Sequence, residues 1–170
     1  MSLQALSLVG KFFRLPRHDG LLVVEAALWL AVAALAIAVL PFRQVVRLAA
    51  RSIRRSEPTQ QSRLRDVKRI RWAIVVTASR VPWRAMCFQQ GLAAQFMLRR
   101  RGIPSLLYYG AAPGDRSGLS AHVWVRDGGM DVIGGEISSR FALLATFPPQ
   151  DQIGGRPQLR GAGLDVSRAD

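Results

Sequence analysis

The stretch VPWRAMCFQQGLAAQFMLRRRGIP, residues 81–104, decides the fold that we predict. Pro82 suits the first turn of a helix, and Gly102 with Pro104 ends it. Cys87 therefore lies near the N-terminus of this helix. Unpaired N–H groups and the positive end of the helix dipole at that position favour a thiolate and can bind an oxyanion.

After this helix the pattern changes to strands, LLYYGAA at 106–112 and LSAHVWVRDGGMDVIGG at 119–135. Alternation puts His122 and Trp124 on the same face of the second segment. Residues 127–129, Asp-Gly-Gly, are typical of a hairpin turn. A helix followed by a small antiparallel sheet, with further helices before it, predicts the α+β class.

These residue types in this order suit nucleophilic catalysis by a thiol. Cys87 would attack a carbonyl, His122 would take and return the proton, and a third group would fix the imidazole tautomer. Asp131 is the predicted third group, with Glu136 as the reserve. The candidates for contact with the substrate are Trp83 and Trp124.

The position of Asp131 depends on the length of the hairpin turn. A turn at 127–128 pairs Trp124 with Asp131 and puts the carboxylate diagonal to His122. A turn at 128–129 keeps the same face but moves Asp131 further away. A three-residue loop puts it on the other face.

Neither a metal nor a cofactor is predicted. The chain has one cysteine and two histidines, and His18 lies far from His122 in sequence, which does not match the usual spacing of a zinc site. The glycine pairs lack the following helix and lysine of a phosphate-binding loop.

Composition indicates one domain with an acidic partner. The 170 residues carry a formal charge of +13, and all but two of the 24 basic residues are arginines. Carboxylates, phosphates or an anionic membrane face would suit such a surface. The single cysteine excludes an internal disulfide and favours a reducing, cytoplasmic location.

The apolar run LLVVEAALWLAVAALAIAVL, residues 21–40, is long enough to span a bilayer. Arginines follow it, and it lacks a cleavage site, so a signal peptide is not expected. Glu25, its one polar side chain, does not exclude insertion. We favour a buried or peripherally docked helix over a spanning one, and membrane association through residues 21–40 is the alternative to a purely cytoplasmic location.

Three regions are predicted along the chain: an N-terminal helical region at 1–60, a catalytic core at 61–148 and a mobile tail at 149–170. The polar SEPTQQS at 56–62 predicts a loop or helix break. A second helix is expected from near Ser62, with an apolar face that passes through Val67, Ile70, Ile74, Val75 and Ala78.

The segment PWRAMCFQQGLAAQFMLRRRGIP, followed by LSAHVWV, DVIGGE and LATFPP, resembles the leader peptidases of lasso-peptide biosynthesis, which have a transglutaminase-like, papain-related fold. The similarity covers roughly residues 20–148, and Pro41-Phe42-Arg43 resembles the end of that family's apolar helix. The spacing from His122 to Asp131 is short for this family, whose members vary after the histidine strand.

The resemblance implies a protease that removes the leader from a ribosomally made precursor, so that a partner cyclase can close a ring on the new N-terminus. It further implies the stand-alone peptidase half, which works with a separate leader-recognition protein. The implied partners are therefore peptide and proteins, with no nucleic acid.

Two other functions remain open from the sequence. The same residues would serve acyl transfer to an amine, as in true transglutaminases. A noncatalytic basic module that binds nucleic acid or a membrane is the other alternative. The aromatic residues are not interleaved with the arginines, and no helix-turn-helix or zinc pattern is present, which argues against nucleic acid.

Overall fold

The computed structural model describes residues 17–50, 58–114 and 118–149. Within these ranges helices precede a small sheet, in agreement with the predicted α+β class. The helices are α1 (Arg17–Val39), α2 (Phe42–Ala50), α3 (Gln60–Ala78) and α4 (Cys87–Arg100). The strands are β1 (Leu106–Pro113), β2 (Leu119–Asp127), β3 (Met130–Ile133) and β4 (Ala142–Phe147), and a 3-10 helix, Gly135–Arg140, lies between β3 and β4. The antiparallel sheet has the order β3-β2-β1-β4.

Helix α3 begins directly after Thr59, whose side chain accepts a hydrogen bond from the Ser62 N–H. Threonine is a favoured N-cap because its oxygen satisfies one of the free N–H groups of the first turn. The break predicted at 56–62 is therefore wrong for residues 60–62, which are helical. Residues 56 and 57 lie outside the described residues. The expected apolar face is buried at Val67, Ile70 and Ile74, but its prediction is wrong for Val75, which is exposed.

Helix α4 begins at Cys87 rather than at Pro82. Pro82 lies in the bend before the helix, and the Met86 N–H donates to Gln89 Oε1 at 3.2 Å, as in a capping box. The other end is as predicted, since Gly102 follows the helix with a φ of 68°. The cysteine is thus the first helical residue.

Helix α1 packs against α3 and α4 along one face and joins the same hydrophobic core as the sheet. The residues that it buries there include Leu22, Ala26, Leu30 and Ala33. Residues from the region predicted at 1–60 thus share one hydrophobic core with residues from the region predicted at 61–148. The mobile tail was predicted at 149–170, and all of this segment after residue 149 lies outside the described residues.

Glu25 docks α1 onto the end of α4. Its carboxylate accepts hydrogen bonds from Arg101 at 2.8 and 3.1 Å. Burial raises the pKa of Glu25, but the hydrogen bond and charge of Arg101, with the charge of Arg100, outweigh it and hold the pKa below its usual value. The one acidic residue of the apolar run thus faces the protein.

The opposite face of α1 is an exposed apolar stripe, which runs for about 27 Å along the helix. It consists of Leu21, Val24, Leu28, Val32, Leu35 and Val39. Residues 19–39 are long and apolar enough to cross a membrane. Helix α1 is therefore only partly buried, since one face packs against the core and the other is exposed.

The sheet packs on α4 through the side chains that alternate with His122. Gly91, one turn after Cys87, lies so close to β2 that an added Cβ would be 2.8 Å from Val123 Cγ1. Further along the helix, buried Gln95 donates from Nε2 to the Phe147 carbonyl at 2.8 Å. These contacts fix α4 across one face of the sheet.

Candidate functional site

Cys87 is half-buried at the first residue of α4 and packs at the margin of the hydrophobic core. The first four N–H groups of a helix have no partner within the helix, so an acceptor near the thiol meets several donors. The same end carries the positive pole of the helix dipole, which favours a thiolate or an oxyanion there. The position therefore suits a nucleophilic sulfur.

His122 lies on β2 and is 8% exposed. Its imidazole is packed between two aromatic side chains, with ring centroids 5.0 Å from Phe141 and 6.0 Å from Trp124. Trp124 in turn stacks on Tyr108 at 5.5 Å. This row of rings covers the face of the sheet that is opposite to the face against α4, and it restricts the orientation of the imidazole.

The backbone carbonyl of Gly134 lies 2.7 Å from His122 Nε2. A carbonyl oxygen can only accept a hydrogen bond, so Nε2 carries the proton in this contact. Nδ1 then has the free lone pair and is the basic nitrogen of the ring. The contact therefore fixes the tautomer of the imidazole.

Gly134 reaches this position because it is a glycine. Its φ is 72°, in the left-handed region that other residues avoid, and an added Cβ would be 2.6 Å from the Val123 carbonyl oxygen and 3.2 Å from His122 Nε2. Gly135 is equally confined, since its Cβ would overlap the Asp131 carboxylate. The pair of glycines thus lets the chain pass between His122 and Asp131.

Asp131 faces Arg126 across the hairpin. The observed register pairs Arg126 with Asp131 and Asp127 with Met130, so the turn is Gly128-Gly129 and the pairing of Trp124 with Asp131 does not occur. The Arg126 Nε donates to Asp131 Oδ1 at 2.5 Å. The structure therefore brings Asp131 to Arg126, while the Gly134 carbonyl occupies the position beside the imidazole.

Glu136, the reserve for the third role, is an exposed residue at the start of the 3-10 helix and forms an ion pair with Arg71. A hydrogen bond from its own backbone N–H lowers the pKa of Glu136, burial opposes this, and Arg71 lowers the pKa further. The side chain is thus ionised and held by α3.

The two tryptophans considered for substrate contact differ in their surroundings. Trp124 is 5% exposed and belongs to the aromatic row beside His122. Trp83 packs against the core in the bend before α4, with its Nε1 buried and without a hydrogen-bond partner among the described residues. Trp83 therefore lies in the segment that leads into Cys87, and Trp124 lies beside the imidazole.

Cys87 and His122 are not hydrogen-bonded to each other in the described part of the chain. The alternation of β2 explains the separation, since Val123 faces α4 at Gly91 whereas His122 faces the aromatic row. The structure thus places Cys87 at the start of α4 and His122 on the opposite face of the sheet from α4, without a hydrogen bond between them.

No group of three or more His, Cys, Asp or Glu side chains within residues 17–50, 58–114 and 118–149 could hold a metal ion. The side chain of His18 lies outside what the structure describes and is not among these groups.

Gly134 and Phe141 are the neighbours of His122 that the sequence analysis missed. Gly134 acts through its backbone, so no side-chain pattern identifies it. The Gly134-Gly135 pair is the signal that could have found it, because adjacent glycines after a strand indicate a close approach of the backbone to another group.

The family comparison agrees with this architecture. The family model described as the transglutaminase-like superfamily matches residues 27–146, which include α4, the sheet except for its last residue, and more than half of α1. No curated protein matches the chain significantly, and no solved structure does. The matched region has a cysteine at the start of a helix and a histidine on an antiparallel sheet. Its fold is of the type found in cysteine proteases and acyltransferases. The chain belongs to the transglutaminase-like superfamily.

Proposed function

We propose that this chain is a cysteine endopeptidase that removes the leader from a ribosomally made lasso-peptide precursor before macrolactam formation. The observation that carries the peptidase chemistry is the lone thiol at the first residue of α4 within a transglutaminase-like domain. The narrower role rests on the resemblance of the cysteine and histidine segments to lasso-peptide leader peptidases.

The proposed reaction begins with attack of Cys87 Sγ on the scissile carbonyl, while the thiol proton passes to His122 Nδ1. The free N–H groups at the start of α4 stabilise the oxyanion. His122 then protonates the leaving amine, which releases the core peptide. Water attacks the thioester, gives its proton to His122 and frees the leader carboxylate, and the thiol regains its proton.

In this scheme His122 Nε2 keeps its proton and donates it in a hydrogen bond to the Gly134 carbonyl throughout the reaction. This 2.7 Å hydrogen bond keeps Nδ1 available as the base. Substrate binding must bring the imidazole and the thiol together, since they are not hydrogen-bonded in the described residues. Because the Gly134 contact holds the imidazole in place, the segment 81–86, which leads into Cys87, is the part that would move.

The decisive experiment is cleavage of the precursor peptide in the presence of the leader-recognition protein, with the Cys87→Ala variant as the test. We expect cleavage to be abolished while circular dichroism and the unfolding transition stay as in the unmodified chain. Cleavage at the original rate by Cys87→Ala would refute the proposal. Arg65→Gln, which changes an exposed charge on α3, is the matched control.

The proposed partners are the precursor peptide, a separate leader-recognition protein and the cyclase that uses the released N-terminus. A cytoplasmic location follows from this pathway and from the reduced state that the thiol requires.

Acyl transfer to an amine is the second candidate, because the superfamily fold serves cysteine proteases and acyltransferases alike. The thioester would then be attacked by an amine rather than by water. Mass spectrometry separates the two, because hydrolysis splits the substrate and adds one water, whereas transfer joins two molecules.

A peripheral membrane contact through α1 is a further part of the proposal. The exposed apolar stripe and the exposed Arg43 and Arg47 of α2 would suit a surface of anionic lipid. Flotation with vesicles tests it: Leu28→Ser with Leu35→Ser should release the chain. An unchanged bound fraction would exclude the stripe as the contact.

A further inference from the structure

A groove of about 430 Å³ lies beside His122 and is lined by Ala112, Pro113, Gly114, Ser120, Arg140 and Phe141. Phe141 forms the wall that the groove shares with the imidazole, since its ring is 5.0 Å from that of His122. The groove and the candidate base are therefore separated by one aromatic ring.

The register of the sheet places the groove on the same face as His122. Ala112 pairs with Ser120, and Gly110 pairs with His122, so these four residues share a face by alternation. Ser120 and His122 are two residues apart on β2, which corresponds to about 7 Å. A peptide with its scissile bond near the imidazole would therefore reach the groove with a neighbouring side chain.

Arg140 is the one charged side chain among the described residues that line the groove. Arg140 is exposed at the end of the 3-10 helix, and it forms no hydrogen bond or ion pair with another described residue. This differs from Arg63, Arg71, Arg101 and Arg126, which all hold carboxylates of the protein. Arg140 thus offers an unused guanidinium to a ligand.

We propose that this groove binds a carboxylate side chain of the substrate peptide and that Arg140 is the residue that selects it. The guanidinium would form a forked pair of hydrogen bonds with the carboxylate, the geometry for which arginine is best suited. The hydroxyl of Ser120 would add a third donor. The inference rests on the proposed peptidase function, because it places an acidic residue of the peptide near the scissile bond.

The test measures binding rather than cleavage, so it does not depend on turnover. The Cys87→Ala chain is used to select from a library of random decapeptides at physiological salt, and the enrichment of each residue type is counted. We expect Asp and Glu to be enriched at one position about tenfold over Asn and Gln. Arg140→Gln in the same background should remove this preference, and Arg140→Glu should replace it with a preference for Lys and Arg.

Arg65→Gln in the same background is the control for the general positive charge of the chain, since Arg65 is exposed on α3 and does not line the groove. It should keep the acidic preference. Three results would overturn the proposal: no acidic preference at all, a preference that survives Arg140→Gln, or an equal loss in Arg65→Gln. If the chain proves not to cleave a leader peptide, the peptide selection can still show the acidic preference, because it measures binding. Failure of the proposed function and failure of the groove proposal are therefore distinguishable.

Discussion

The backbone carbonyl of Gly134 accepts a hydrogen bond from His122 Nε2 at 2.7 Å. In the proposed mechanism this main-chain oxygen takes the position that a catalytic triad usually gives to a side chain. The contact leaves Nδ1 as the basic nitrogen. The consequence for mutagenesis is that no deletion of a carboxylate can test this contact, and glycine itself must be changed.

Gly134→Ala should destabilise the fold by about 1–3 kcal/mol, because alanine is strained at a φ of 72° and its Cβ would meet the Val123 carbonyl. Cleavage should fall more than the folded fraction does, since the carbonyl must move away from the imidazole. Urea unfolding and the cleavage rate together measure this. Gly129→Ala is the control, as no atom lies within 4 Å of its added Cβ, and a matching loss there would contradict the explanation.

Asp131→Asn should lower kcat/KM less than about tenfold, because the carboxylate is held by Arg126 and the Gly134 carbonyl fixes the imidazole. His122→Gln should lower it by roughly 10² or more, the usual worth of general acid–base catalysis. The comparison is made on the same precursor peptide. If the two variants lose equal activity, Asp131 has the triad role predicted from the sequence.

Glu25→Gln should reduce the free energy of unfolding at pH 7 by about 1–2 kcal/mol, the worth of hydrogen bonds to a charged group. The pKa of Glu25 is lowered in the folded chain, so its contribution is complete above pH 4.5 and is lost as the pH falls below that value. Urea unfolding at pH 7 and at pH 3 should therefore show a difference between the two chains that shrinks in acid. A difference that is the same at both pH values would contradict the ion pair with Arg101.

Arg63→Met should destabilise the fold by about 3 kcal/mol, because it leaves the carboxylate of Asp127 buried without a counter-charge. Arg63 Nε donates to Asp127 Oδ2 at 2.6 Å, and this pair ties α3 to the end of β2. The double variant Arg63→Met with Asp127→Leu should recover most of the loss. Thermal unfolding of the three chains tests this, and a double variant no better than the single one would argue against a buried charge as the cause.

Much of the fold was predictable, because periodicity reports which face of an element is apolar. The helix at 60–78 and the hairpin at 119–133 follow from such patterns. The start of α4 was placed five residues too early, since Pro82 suits a helix start but also suits the bend in which it lies. Strand β4 and the 3-10 helix before it were not predicted.

The candidate site was predictable only as far as side chains reveal it. Cys87 and His122 carry recognisable chemistry, so the sequence identifies them as candidates. The hairpin register depended on which two residues of 127–129 form the turn, and the structure selects Gly128-Gly129. Gly134 has no side chain to signal a role, and the groove at Arg140 forms only when β1, β2 and the 3-10 helix come together.

Helix α1 shows why an apolar run can be ambiguous. The run reads as uniformly apolar, yet Glu25 turns one face towards Arg101 and the core, and the other face stays exposed. Only the tertiary contacts decide which face is covered.

Because Cys87 is the single cysteine of the chain, any maleimide dye or spin label attaches at one known place, the first turn of α4. The unmodified sequence is thus already suited to spectroscopy, with no cysteines to remove beforehand. Fluorescence from such a probe would report peptide arrival at the thiol in real time, and a covalent warhead would mark the same atom for mass mapping.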